Sequence, residues 1–310
     1  MHPEQDGINR ECFFRSFVHR KTKITLRGNL AEQAENSTAK KKSMSFLEHL
    51  EALRWHIMRS VIALLVITSV LFFYSDFIFD TILFGPTKPG FITYRALCKL
   101  SEVLHMGNSL CVQSKVQFKL VNTEMWGQLT MYMWGTFIAG FIITMPYILW
   151  EIWRFISPAL KPTELKSTRG FVFAASILFL IGVCFSYFII VPWTVNFLND
   201  FKLSSGTDIQ NLPNVRSYVS TVTTLVLWIG VIFELPMVTY ILTLLGIISP
   251  AFLKKYRKHS VVVVLIVAAL IAPPDVASQV FISIPLYLLF EVSIFVAKFA
   301  ERRRIAKSKF

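Results

Sequence analysis

Charge is scarce in this sequence. Asp, Glu, Lys and Arg make up 16% of its 310 residues, against 54% apolar residues. Such a composition, with long apolar runs, excludes an ordinary soluble domain and indicates a polytopic membrane protein. Acids are the scarcer sign, 19 against 32 Lys and Arg, which leaves a formal net charge of +13. In a soluble chain that excess would point to nucleic acid. Here the cations collect in short segments between apolar runs, so topology accounts for them and no nucleic-acid partner is expected. Cysteine is limited to Cys12, Cys98, Cys111 and Cys184. No two of these have metal-ligand spacing, which argues against a zinc site. The six histidines, His2, His19, His49, His56, His105 and His259, form no His-Glu-x-x-His, and the chain has neither a nucleophile elbow nor a phosphate loop. Neither a catalytic set nor a cofactor is expected.

Residues 1–43 have no apolar h-region, so they do not read as a secretory signal peptide. They are polar and irregular, and disorder is the expectation. Met44 stands directly before the next element, so this extension is either a flexible tail or an artefact of where translation is taken to start. Residues 44–299 are expected to form one six-helix membrane domain, and 300–310 a basic tail.

Six apolar segments are present. The first runs from about Ile57 to Phe79, and the second from Trp126 to about Trp150 with Pro146 inside it. The third spans Gly170 to Trp193 and the fourth Tyr218 to Leu245. The fifth, Ser260–Ala272, and the sixth, Val280–Phe299, are joined by Pro273-Pro-Asp-Val-Ala-Ser-Gln279. The fifth is anomalous: about thirteen helical residues reach only ~20 Å of a ~30 Å hydrocarbon core. Such a helix either thins the bilayer, draws polar flanks inward or leans on its neighbours, unless Lys254–His259 continues it with snorkelling lysines. Pro146, Pro192, Pro236 and Pro285 predict bent helices rather than a straight bundle.

Short loops set the orientation. Arg154, Lys161, Lys166 and Arg169 join segments two and three; Lys254, Lys255, Arg257 and Lys258 join four and five; the tail carries six more cations. The opposite side has no Lys or Arg in the Pro273 turn, and its cation-bearing first loop is too long to count for much. Both termini are therefore expected in the cytoplasm. Cys98 and Cys111 then lie outside, where a disulfide persists, the alternative being two free thiols. Cys184, in an apolar run, reads as a small buried residue.

Polar groups on the spans stand out. Ser45–Arg59, with Phe46, Leu50, Leu53 and Ile57 on one stripe, reads as an amphipathic helix at the membrane surface that feeds the first span. Glu234, in Val231-Ile-Phe-Glu-Leu-Pro-Met237, lies deep in the fourth segment, where a carboxyl faces a wet cavity or bonds to a neighbouring helix. Glu291, in Leu288-Leu-Phe-Glu-Val292, is a second intramembrane acid, and the sequence offers it no basic neighbour before Lys298.

Taken in order, these stretches resemble the TatC family, the receptor subunit of the twin-arginine protein translocase. The resemblance covers roughly Ser45 to Phe299. It rests on His49-Leu50, Leu53 and Arg54; on Pro146-Tyr-Ile-Leu-Trp-Glu-Ile-Trp-Arg-Phe-Ile-Ser-Pro-Ala-Leu160 with Glu164; on Phe233-Glu-Leu-Pro236; and on Pro273–Gln279 with Leu289-Phe-Glu291. It implies an all-α fold, six tilted helices in a concave, glove-like array, in a bacterial-type cytoplasmic membrane. It also implies a receptor for signal peptides bearing two arginines, exporting folded proteins on the proton motive force. The implied partners are single-span Tat subunits of A-type and, where present, B-type, with self-association in the receptor complex.

In the family two glutamates receive the arginines, for which a guanidinium fork suits a carboxylate better than an ammonium. Glu164 matches one; the other position is Ala52. Glu51 is adjacent but about 100° away around the helix, whereas Glu48 lies one turn earlier on the face of Ala52. Either Glu48 compensates or binding is impaired. The resemblance also places Arg54 and Phe155 beside this site, Glu234 in the cavity, and Asp275 and Gln279 in the outer turn. The competing reading is a proton- or ion-coupled small-molecule transporter, which the intramembrane acids and prolines would suit. Against it, the two halves of the chain do not match and no internal repeat is evident.

Overall fold

The structure, a computed structural model, describes residues 46–88, 90–103, 120–159, 170–200, 213–272 and 276–308. The extension 1–43, Glu164, Cys111 and Asp275 lie outside them. Contacts divide the chain into two units, Met1–Arg54 and Trp55–Phe310. The described part of the first is the opening of a helix; the contacts below belong to the second.

The described fold is almost wholly helical. Its principal helices are α1 (Phe46–Phe72), α2 (Ile92–Val103), α3 (Gly127–Ile156), α4 (Phe171–Phe185), α5 (Val191–Asp200), α6 (Val215–Ile232), α7 (Leu235–Leu244), α8 (Pro250–Lys255), α9 (Arg257–Ile271) and α10 (Val276–Ser308). Among the described residues, five stretches are long and apolar enough to cross a membrane: Leu50–Phe72, Gly127–Ile156, Phe171–Asn199, Val215–Leu244 and Ser278–Ala306. The fifth sequence segment, absent from these five, corresponds to α9, whose 15 residues reach only ~22 Å. Its start at Arg257 lies three residues before the expected one, but Tyr256 separates it from α8, so the helix does not run back through Lys254.

The opening of the chain differs from the sequence reading. Residues 46–72 form one continuous helix, so the amphipathic stretch is the start of the first span and not a separate surface helix. Leu50 and Ile57 of its apolar stripe are exposed, as lipid-facing side chains are; in hydrocarbon an apolar stripe need not point to a protein core.

Of the four prolines, two coincide with breaks. Pro236 stands at the start of α7, just after the turn at Phe233–Glu234 that ends α6. Pro192 follows the π-helical turn Ser186–Ile190 between α4 and α5. A proline at 192 frees the carbonyl of Phe188 from its helical donor, and that oxygen instead accepts from Thr93 Oγ1 of α2 at 2.6 Å. Pro146 and Pro285 sit inside α3 and α10, which continue unbroken.

α6 is the hub. Its Tyr218, Val219, Val222, Leu225, Val226 and Ile229 are all buried, and α3 and α4 pack on it. Close approach is set by small residues: a Cβ at Gly182 of α4 would stand 2.6 Å from Phe233 Cγ. α10 packs along α7 and α9. Gly246 ends α7 with φ of 77°, a left-handed conformation that favours glycine. The Arg304 guanidinium of α10 covers the space a side chain there would fill.

α2 and the turn before it are tied to the bundle by three further bonds, two of them made by Tyr94 of α2. Tyr94 OH donates to the Pro86 carbonyl at 2.9 Å, Asn196 Nδ2 donates to Tyr94 OH at 2.9 Å, and Tyr218 OH reaches the Leu83 carbonyl at 2.8 Å. Burial pushes the Tyr94 hydroxyl pKa up, partly offset by Asn196, which keeps it a neutral donor. Cys98 of α2 is disulfide-bonded, its partner lying outside the described residues. Cys184 corrects the expectation of a buried thiol: it is free and exposed. It lines an apolar cavity of about 240 Å³ between α3, α4, α6 and the turn before α2.

Candidate receptor site

In the second unit a cluster of polar side chains forms where the end of α3 meets α1. Tyr147, Glu151, Arg154 and Phe155 recur at helical spacing on one side of α3. Glu151 is 1% exposed, so its carboxylate requires partners. His56 Nδ1 of α1 stands 2.5 Å from Glu151 Oε2. Tyr147 OH donates to Oε1 at 3.0 Å, and Arg154 Nη1 lies 3.5 Å from the same oxygen. The His56 ring meets Phe155 edge-on at 6.1 Å, and the Arg154 guanidinium lies over Trp150 at 5.2 Å. The outcome is a buried anion with the exposed cation Arg154 beside it.

Sequence reasoning did not single out Glu151 or His56. The available signal was a carboxylate among aromatics at Trp150-Glu-Ile-Trp153, where an unpartnered charge is costly; its partner is 95 residues away in sequence and no local spacing reveals it.

The residues expected from sequence fall as follows. Glu51 and Arg54 are exposed, Ala52 is half-buried and Phe155 is half-buried; Glu48 lies within α1, and its side chain is outside what is described. Glu234 is 6% exposed at the α6–α7 break, and its Oε1 has no hydrogen-bond partner among the described residues. Gln279 Nε2 donates to the Leu265 carbonyl at 3.1 Å, tying α10 to α9. Glu291 has a partner that sequence reasoning did not find: Arg257 Nη2 donates to its Oε2 at 2.6 Å, and Tyr287 OH reaches Oε1 at 3.3 Å. Among the described residues, no group of three or more His, Cys, Asp or Glu is placed to hold a metal ion.

Comparison with known proteins agrees with this architecture. Residues 48–285 match the family model described as "Sec-independent protein translocase protein (TatC)". The curated protein of that name from Blattabacterium sp. subsp. Periplaneta americana is 38% identical over 264 residues, 85% of this chain and 98% of its own length. The Aquifex aeolicus protein is 33% identical over 264 residues, 84% of this chain and 98% of its own. A crystal structure of a "Twin Arginine Translocase Receptor- TatC" superposes with a TM-score of 0.63 at 31% identity, covering 82% of this chain and 99% of that one. The chain is a multi-pass membrane protein that belongs to the TatC family.

Proposed function

We propose that this chain is the signal-peptide receptor and core membrane subunit of a twin-arginine translocase, which exports folded proteins at the expense of the proton motive force. The observation that carries the reading is the His56–Glu151 contact. It fastens the end of α3 to α1, and in sequence Glu48 precedes one of these helices' paired residues while Glu164 follows the other. Glu48 and Glu164 are the carboxylates assigned to the two arginines, Glu164 at the family position and Glu48 in place of the carboxylate absent at Ala52. Arg54 and Phe155 are the further residues assigned to this site. Glu234 supplies a polar group at mid-membrane depth, and Asp275 and Gln279 the outer turn.

The membrane is a bacterial-type cytoplasmic one, with both termini in the cytoplasm as the short-loop cations require. Partners are twin-arginine precursors, A-type and, where present, B-type single-span subunits, and further copies of this chain. Support comes from family membership and from the buried, acid-centred cluster at the receptor end. A precursor carrying a photo-crosslinker beside its arginines tests the reading. Crosslinks should form to the α1 and α3 ends and vanish when both arginines become lysine; undiminished crosslinking of the twin-lysine precursor overturns it.

A further inference from the structure

One basic cluster lies at the level of a lipid headgroup. α10 starts at Val276, and Lys298 is ~33 Å along it against a hydrocarbon core of ~30 Å. α8 docks Leu253 against Ile294 and Ala297 of α10. That contact sets Lys254, next to Leu253, and Lys298, next to Ala297, at one junction of the two helices, and Arg257 bonds to Glu291 of the same α10. Like charges gathered there repel, and more so where water is scarce.

Among the described residues, no ion pair joins an acid to Lys254 or Lys298. α8 and α9 contain Lys254, Lys255, Arg257, Lys258 and His259 but no acid, and the acids of α10 are Glu291 and Glu301. Glu291 is already engaged by Arg257 Nη2, while Arg257 Nε is buried with no acceptor among the described residues. Exposed aromatics border the cluster: Phe252 and Phe295 are 52% and 64% exposed, and Lys298 Nζ lies 5.0 Å from the Phe295 ring centre. Cations that merely snorkel to the headgroups would spread apart. These converge from two elements, with an apolar border on the membrane side.

We propose that Lys254, Arg257 and Lys298 form a binding site for the phosphate of an anionic phospholipid, whose acyl chains lie along Phe252 and Phe295. An anion between the two lysines turns their repulsion into two charge-assisted hydrogen bonds and gives Arg257 Nε an acceptor. The occupant is a lipid rather than a soluble anion because the border is apolar and the depth is that of the headgroups. The proposal does not depend on the receptor reading.

The test uses the full chain in nanodiscs of phosphatidylcholine, with and without phosphatidylglycerol. The readouts are Tm and, by native mass spectrometry, the phosphatidylglycerol retained on extraction. Phosphatidylglycerol should raise Tm and stay bound to wild type. The double variant Lys254→Gln with Lys298→Gln should lose most of both effects while melting normally in phosphatidylcholine. Lys254→Arg with Lys298→Arg should keep them, and so should the control Lys255→Gln with Arg303→Gln. Should the double glutamine variant not assemble, Lys254→Gln alone is read in the same way. The proposal is overturned if the glutamine variant retains as much phosphatidylglycerol as wild type, or if the control loses as much. It is equally overturned if inorganic phosphate added to phosphatidylcholine discs reproduces the stabilisation.

Discussion

His56 Nδ1 lies 2.5 Å from Glu151 Oε2, so a helix that buries little of itself is fixed to the bundle by a polar contact. Only 6% of the apolar window of the first span is buried, and in lipid, apolar contact adds no hydrophobic drive between helices. Replacing His56 by Ala should therefore cost about 2–3 kcal/mol, because it leaves a buried carboxylate short of a partner. The measurement is a thermal melt in detergent of His56→Ala, Glu151→Gln and the double variant. A coupling of under ~0.5 kcal/mol in the cycle would remove the contact from any account of how α1 is held.

On the proposed function, signal-peptide affinity should respond to an acid placed at position 52. Ala52→Glu should tighten binding of a twin-arginine peptide by roughly tenfold, the scale of one charge-assisted hydrogen bond. Glu48→Ala should weaken it. The substitution idea fails if the first gains nothing and the second loses nothing.

The crossing of α4 and the end of α6 should tolerate no side chain at position 182. Gly182→Ala drives a Cβ toward Phe233, 2.6 Å from its Cγ, and should cost about 1–3 kcal/mol through overpacking. Adding Phe233→Leu should return part of that loss in the same melt. If the paired change is no better than Gly182→Ala alone, the ring is not the obstacle.

Cys98 is bonded, and Cys111, on the same loop in sequence, is the partner we propose. Under non-reducing conditions both thiols should resist alkylation, and Cys111→Ser should free Cys98. A bridge closing a loop of about a dozen residues stabilises by roughly 3 kcal/mol, so the variant should melt earlier as well. A Cys98 that stays blocked in Cys111→Ser would assign the pairing to another cysteine.

The class of the fold was legible because apolar length is a direct physical signal. All six sequence segments have helical counterparts, and the shortness of α9 was readable from its residue count. What escaped was which face of a span meets protein. Cys184 reads as buried and is exposed, since lipid and core are equally apolar and hydropathy cannot separate them. Leu50 and Ile57 mislead for the same reason. Polar partners escaped for another: Glu291 bonds to Arg257 on a neighbouring helix and Glu151 to His56 far away in sequence. Both become visible only once the helices are placed. Pro192 and Pro236 marked breaks that Pro146 and Pro285 do not, and the Thr93 hydroxyl donating to the carbonyl freed at Phe188 is tertiary information too.

α10 has 33 residues, which at ~1.5 Å each make a rod of ~50 Å, some 20 Å more than a hydrocarbon core. Its projecting part is braced where Arg304 lies against Gly246. A protein or fluorophore joined after Ser308 would thus sit on a stiff post and not on a tether, with its distance from the membrane surface set by helix rise. Distance measurements from that end should report the tilt of α10 itself, and Gly246→Ala, which pushes the brace away, should broaden them.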